Sequence, residues 1–345
     1  MKRSQKVGMW SMLAAAFWML LCTSCIREDR DDCPATVGSG VKVNFRYTYN
    51  VAENDAFGKE ADGVCVWIFD EDGKFLSMQK DAGDHIINGY TMPMPSLPVG
   101  KYKLVAWAKS MDHDGELSEF AFPELTAGQS VIGDLTAYLN RDENNVCSTR
   151  LNGLLSGTLD VEIKGTDEEE FTIDMMKCTN TLRVILMPAR AGQTLHQEDY
   201  SFVIDGKNGW LDYKADPYGQ GEVTYKPYYQ ELLQDETVVG KSRVGDAEID
   251  HAVVAELNTS RMMAEQGPRL RIVNNRTGKD VLDINLTWFL SLQAVGEHRA
   301  EWDDQEYLDR QDTYAVTFFV DGDTFLQNYI IVNGWVVSLE DVSLG

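Results

Sequence analysis

From Val41 onward the chain is written in short runs that alternate apolar and polar residues, and turn residues separate the runs. Val41-Lys42-Val43-Asn44-Phe45-Arg46-Tyr47 has the period-two pattern of a half-buried strand. Val64–Phe69 is a second strand, and Asp70-Glu71-Asp72-Gly73 then leads into Lys74-Phe75-Leu76. That Asp-Gly pair predicts a hairpin, because glycine takes positive φ without a steric penalty. Tyr102–Trp107, Leu159–Ile163 and Leu182–Leu186 continue the series. After a break around Met187–Gly192, strands resume at Phe202–Asp205, Trp210–Tyr213, Ala252–Leu257, Leu270–Val273, Val281–Leu286, Tyr314–Val320 and Tyr329–Val332. Short helices fit only Trp288–Val295 or Asp304–Asp309. Strands at near-regular spacing without intervening helices predict an all-β chain of two tandem sandwiches, one over 39–190 and one over 191–345.

The leader changes that picture. Lys2, Arg3 and Lys6 precede an apolar run from Met9 to Leu21, too short to span a bilayer, and then Cys22-Thr23-Ser24-Cys25. This is the layout of a bacterial lipoprotein signal over 1–24, with Cys25 as the acylated new N-terminus and 25–38 as an acidic tether. Cys22 stands where such signals usually carry leucine, and bulky Leu21 makes Cys22 the poorer acceptor. A signal peptide cut elsewhere and an uncleaved anchor helix are the alternatives. Each buried CH₂ of an acyl chain contributes about 0.8 kcal/mol, so several chains hold firmly.

The full sequence of 345 residues carries a net charge of −24, and loss of the three leader cations would bring the mature chain near −27. Nucleic acid is thereby excluded as a partner, since phosphate binding needs clustered Lys and Arg. A hydrophobic content of 43% is ample for packed cores and excludes wholesale disorder. With Cys22 lost and Cys25 acylated, Cys33, Cys65, Cys147 and Cys178 remain, an even number that permits disulfides of open connectivity in an oxidising envelope. Cys65, inside a strand-like run, fits a buried free thiol equally well. Their wide spacing does not suit a zinc site. Asp112–Glu116 and Asp70–Gly73 read as solvated turns rather than calcium loops. His85, His113, His196, His251 and His298 are scattered, and Gly153-Leu154-Leu155-Ser156-Gly157 lacks the GxSxG pattern. No catalytic set, metal site or cofactor is expected, and the chain does not read as an enzyme.

Several segments resemble the FimB-type minor fimbrial lipoproteins, the anchor subunits of type V fimbriae in Bacteroidales. They are Cys25–Pro34, Val64–Asp70 with Gly73, Leu97–Tyr102, Leu151–Leu154, Glu256–Met262, Arg269–Ile272, Glu306–Tyr314 and Ile330–Val337. The resemblance runs in order over the mature chain. It implies transthyretin-like Greek-key sandwiches, a lipid anchor (with palmitate among the acyl groups) in the outer membrane, display at the cell surface, and a place at the base of a fimbria in cell adhesion. It further implies fimbrial structural subunits as partners, joined by β-strand complementation. A stalk or tip fimbrillin is one alternative. A surface glycan-binding lipoprotein is another, and it would need exposed indoles among Trp67, Trp107, Trp210, Trp288, Trp302 and Trp335.

Overall fold

A computed structural model describes residues 40–109, 119–165, 168–190, 192–234, 251–292 and 301–321, together with the backbone of 243–244, 247–248, 324–325, 330–332 and 335–337. The first half supplies β1 (Gly40–Arg46), β2 (Gly63–Asp70), β3 (Phe75–Ala82), β4 (Thr91–Pro93), β5 (Gly100–Lys109), β6 (Phe120–Ala121), β7 (Ala137–Leu139), β8 (Val146–Cys147), β9 (Leu154–Ile163), β10 (Glu168–Asp174) and β11 (Met176–Lys177). One helical turn, α1 (Phe57–Glu60), lies between β1 and β2. The sheet β11-β9-β5-β2-β3 faces the sheet β10-β1-β4. Between them Val43, Phe45, Val64, Val66, Ile68, Leu104, Ala106 and Ile173 form one buried cluster.

The expected hairpin is present. Gly73 has φ of 80°, its N–H reaches Asp70 O at 3.0 Å, and Lys74 N–H donates to Asp70 Oδ1 at 2.8 Å. Gly157 serves a different need inside β9. A Cβ there would stand 2.6 Å from both Asp174 O and the Ile173 side chain, so glycine is what lets the end of β10 approach so closely.

The second half runs through β12 (Thr179–Pro188), β13 (Tyr200–Gly206), β14 (Trp210–Leu211), β15 (Val223–Tyr225), β16 (Tyr229–Leu233), β17 (Arg243–Val244), β18 (Ala247–Glu248), β19 (Ala252–Ser260), β20 (Arg269–Asn274), β21 (Lys279–Asn285), β22 (Thr313–Asp321), β23 (Thr324–Phe325), β24 (Ile330–Val332) and β25 (Trp335–Val337). One sheet has the order β16-β19-β12-β22-β24-β25 with β23 on β22, and the other is β21-β20-β13-β15-β8. Two short helices precede β22. In α2 (Leu286–Ser291) the Asn285 side chain accepts from Trp288 N–H, and in α3 (Asp304–Arg310) Asp303 accepts from Glu306 N–H. Each cap satisfies an otherwise orphaned donor and contributes about 1 kcal/mol. The chain is all-β with few helices, two tandem sandwiches in sequence. The boundary expected between 190 and 191 falls just after β12, whose partners β19 and β22 both lie beyond it.

The halves interlock through residues 119–151. β6 and β7 join β14 in a small sheet, and β8 adds in parallel to β15. This segment also covers the outer face of the β2–β5 sheet. Trp67 and Trp107 lie 5.3 and 5.4 Å from the Phe122 ring. Leu135, Ala137 and Leu139 carry that cluster on to Phe202, Leu211 and Tyr225. Seven of the eight residues of β2 are buried for this reason, giving the continuous apolar run of a strand covered on both faces.

Candidate functional site

A chain that holds a partner by strand addition presents its site as strand edges and whatever fixes them. β1 lies between β10, parallel over seven residue pairs, and β4, antiparallel over three. Val41, Val43 and Phe45 point into the core, and Phe45 stacks on Phe57 at 5.4 Å and on Tyr90 at 6.1 Å. The opposite face is polar, with Lys42 on Glu168, Asn44 on Glu170 and Arg46 on Asp174. The groove between β10 and β4 is therefore filled by the chain's own strand.

β3 ends the other sheet of this half. Among the described residues its outer side is closed at Phe75, where Phe75 N–H donates to Ser130 O and Phe75 O accepts from Gly128 N–H, each at 2.8 Å. The Asp81 carboxylate accepts from Ala82 N–H at 2.8 Å, and between these covers stands half-exposed Met78. Hydrogen bonds from His85 and then Tyr90 hold the Asp81 carboxyl below its usual pKa. In the second half β16, an end strand of its sheet, is covered by Gln197, whose side chain accepts from Leu232 N–H at 3.1 Å.

Behind β1 lies a dense polar seam. The loop 47–60 folds on Asp55, whose Oδ1 accepts from the N–H groups of Tyr47 and Phe57. Arg310 at the end of α3 lies over the Tyr49 ring at 4.3 Å and the Trp302 ring at 4.7 Å, a cation between two π faces. Its charge meets Glu306 at 2.8 Å and Glu53 at 3.7 Å. Lys177 bridges the halves, 2.8 Å from Glu60 and 2.5 Å from Asp312. Burial works against its ammonium, yet the two carboxylates win and leave the Lys177 pKa raised. Deeper in, Arg261 forks onto Asp309 with 2.7 and 2.8 Å bonds and reaches Asp216 at 2.5 Å. Burial opposes that charge too, and Asp309 outweighs it. A cleft of about 480 Å³ opens beside these groups, lined by Arg46, Tyr49, Met175, Met176 and Arg310 among others.

Sequence reasoning did not single out this seam, although some of its members sit in segments quoted for the resemblance. Arg261 closes Glu256–Met262, and Asp309, Arg310 and Asp312 lie in Glu306–Tyr314. In Leu151–Leu154, Leu151 N–H donates to Asn258 Oδ1, and a Cβ on Gly153 would stand 3.0 Å from the Glu60 carboxylate. The visible signal was an arginine and several acids in otherwise strand-like surroundings.

Cys25 and Cys33 lie outside the described residues, as does Asp112–Glu116. Cys65 in β2, Cys147 in β8 and Cys178 just before β12 are buried free thiols. Burial pushes the Cys65 thiol up to about 11 and the Cys178 thiol up to about 12. Of the tryptophans, Trp67, Trp107 and Trp302 are buried. Trp210 is half-buried, packed by Tyr138 at 82° and Tyr218 at 50°, with Arg141 over its ring. No pair of coplanar exposed indoles forms among the described residues.

The family model described as fimbrillin-A associated anchor proteins Mfa1 and Mfa2 matches residues 30–341. The chain is 23% identical to the minor fimbrium anchoring subunit Mfa2 of Porphyromonas gingivalis, over 98% of this chain and 94% of that protein. Among solved structures, one from Bacteroides thetaiotaomicron with a provisional polysaccharide-binding designation is 29% identical, with a TM-score of 0.75 over 88% of this chain and 99% of that one. The fimbrial anchor protein Mfa2 from Porphyromonas gingivalis has the same fold, at 19% identity and a TM-score of 0.64, covering 87% of this chain and 99% of its own.

Proposed function

The chain belongs to the family of fimbrillin-A-associated anchor proteins Mfa1 and Mfa2, and from that premise we propose that it is an outer-membrane lipoprotein that ties a fimbria to the cell surface. The observation that carries this reading is the match of the family model to residues 30–341, which takes in both sandwiches and the polar seam. Acyl chains on Cys25 hold the foot of the fimbria in the bilayer. The acidic stretch Ile26–Asp32 keeps the sandwiches off the membrane surface. The structural subunit joins through a β-edge, where main-chain hydrogen bonds give affinity and alternating side-chain pockets give specificity. The work is mechanical and needs no nucleotide, metal or catalysis.

Deleting the chain in its native host tests the reading. Assembled fimbriae should be released into the medium, and Cys25→Ala should move the protein out of the membrane fraction without unfolding it. Fimbriae that stay attached while polysaccharide uptake fails would replace the anchor reading with glycan binding.

A further inference from the structure

We propose that the polar seam is a bolt for β1: Arg310 and Lys177 clasp the loop that follows this strand and keep it seated between β10 and β4, closing that groove to an incoming strand. Seating β1 buries Val41, Val43 and Phe45, but a strand held by its own pairing alone can detach as a unit. Here the chain leaving β1 is fixed to the other half of the molecule. Tyr49 lies under the Arg310 guanidinium, Glu53 meets the same group, and Glu60 meets Lys177. Arg310 and Asp312, the groups that receive this loop, lie just before β22 and belong to the second half. Tyr47 is 2% exposed at the strand's exit, and its backbone O accepts from Ala56 and from the Asn50 side chain. Unseating β1 means breaking these contacts together, with Lys177 left buried opposite a carboxylate it no longer shares.

The direction of pull gives the arrangement its use. A tether at Cys25 would load β1 from its Gly40 end, along its own axis. Seven parallel pairs with β10 would resist in shear while the far end is pinned. This consequence rests on the anchor reading, whereas the seating stands on geometry. It also assigns the partner's strand to an edge other than the β1 groove.

Hydrogen exchange on the isolated mature chain, wild type against Arg310→Ala, Lys177→Ala and the double variant, tests the bolt. Amides of 40–46 should exchange about tenfold faster or more in the variants, while those of β12 keep the wild-type rate. Tyr49→Leu gives the same comparison with less risk to folding. A biotinylated peptide of residues 39–47 should be captured by the double variant and not by wild type. Equal acceleration in β1 and β12, no acceleration in either, or capture by wild type would overturn the proposal. Because the protein is studied alone, the result is independent of where fimbriae go in the deletion strain.

Discussion

Where residues 119–151 lie across the β2–β5 sheet, the halves meet through Phe120, Phe122, Leu135 and Leu139, in one cluster with Trp67 and Trp107. Where the 47–60 loop meets α3, they meet through Lys177 and Arg310, and the Arg261–Asp309 pair of the second half is buried behind them. The apolar seam is non-directional, and its strength follows the area removed from water. The polar seam depends on geometry, because each buried charge is a liability unless its partner stands in place. The first decides that the halves stay together, and the second decides how one strand is held.

The largest effect should follow from cutting the apolar seam. Fragments 40–178 and 179–345, expressed apart, should each fail to give a cooperative thermal melt and should bind a hydrophobic dye. Co-expression should restore one folded complex. The cut is placed before β12 because that strand pairs with β19 and β22. Two fragments that melt cooperatively on their own would show that the shared cluster is dispensable.

Next comes the buried pair of the polar seam. Asp309→Ala leaves Arg261 without its fork and should cost about 3–5 kcal/mol in denaturant unfolding. Replacing both, with Arg261→Met and Asp309→Leu, should recover most of that loss, since two apolar groups carry no unpaired charge. A double variant as unstable as the single one would mean that the seam needs these charges for more than mutual compensation.

Why the strands were legible in the sequence and the two seams were not follows from range. Strands such as Val41–Tyr47 and Leu270–Val273 declared themselves because alternation is local, and the short helix expected at Asp304–Asp309 is present as Asp304–Arg310. β10 did not, because Glu168-Glu169-Glu170 reads as a solvated charge run. In the fold Glu168 and Glu170 line the outer side of a strand, where Lys42 and Asn44 on β1 answer them, while Glu169 accepts from Lys164 and Gly165 N–H. The 119–151 segment hid for a different reason: its apolar residues are spaced by turns rather than by a period. The polar seam joins residues far apart in sequence, Lys177 to Glu60 and Arg261 to Asp309, and no window along the chain contains both partners.

A smaller effect compares one thiol on each seam. Cys65 belongs to the apolar cluster, and Cys178 lies near Arg261 and Asp309. Both have folded pKa values raised by burial above the ordinary 9.0. Their contribution is therefore complete below that ordinary value and is lost as pH rises through about 11 for Cys65 and about 12 for Cys178. Denaturation midpoints followed from pH 8 to alkaline pH (a range taken from those shifts) should fall less steeply in Cys65→Ala and Cys178→Ala than in wild type. A thiol reagent at neutral pH should leave Cys65, Cys147 and Cys178 unmodified until the protein is unfolded. Rapid modification of the native protein would contradict their burial.

The smallest effect lies at the rim of the polar seam, where charge and backbone can be separated at one residue. Glu53 is exposed, 3.7 Å from Arg310, and holds φ of 50° in the left-handed region. An exposed pair contributes about 0–1 kcal/mol, far less than the Arg261–Asp309 fork. Glu53→Gly removes that pair but relieves the backbone, and it also loosens the unfolded chain, so the terms offset to within about 1 kcal/mol. Glu53→Val removes the same charge and places a β-branched side chain where φ is positive, which is a genuine outlier for such residues. Valine should therefore destabilise clearly more than glycine, as read by urea midpoints at moderate salt. Equal losses in the two variants would assign the effect to the Glu53 charge and bring the rim closer to the buried part of the seam.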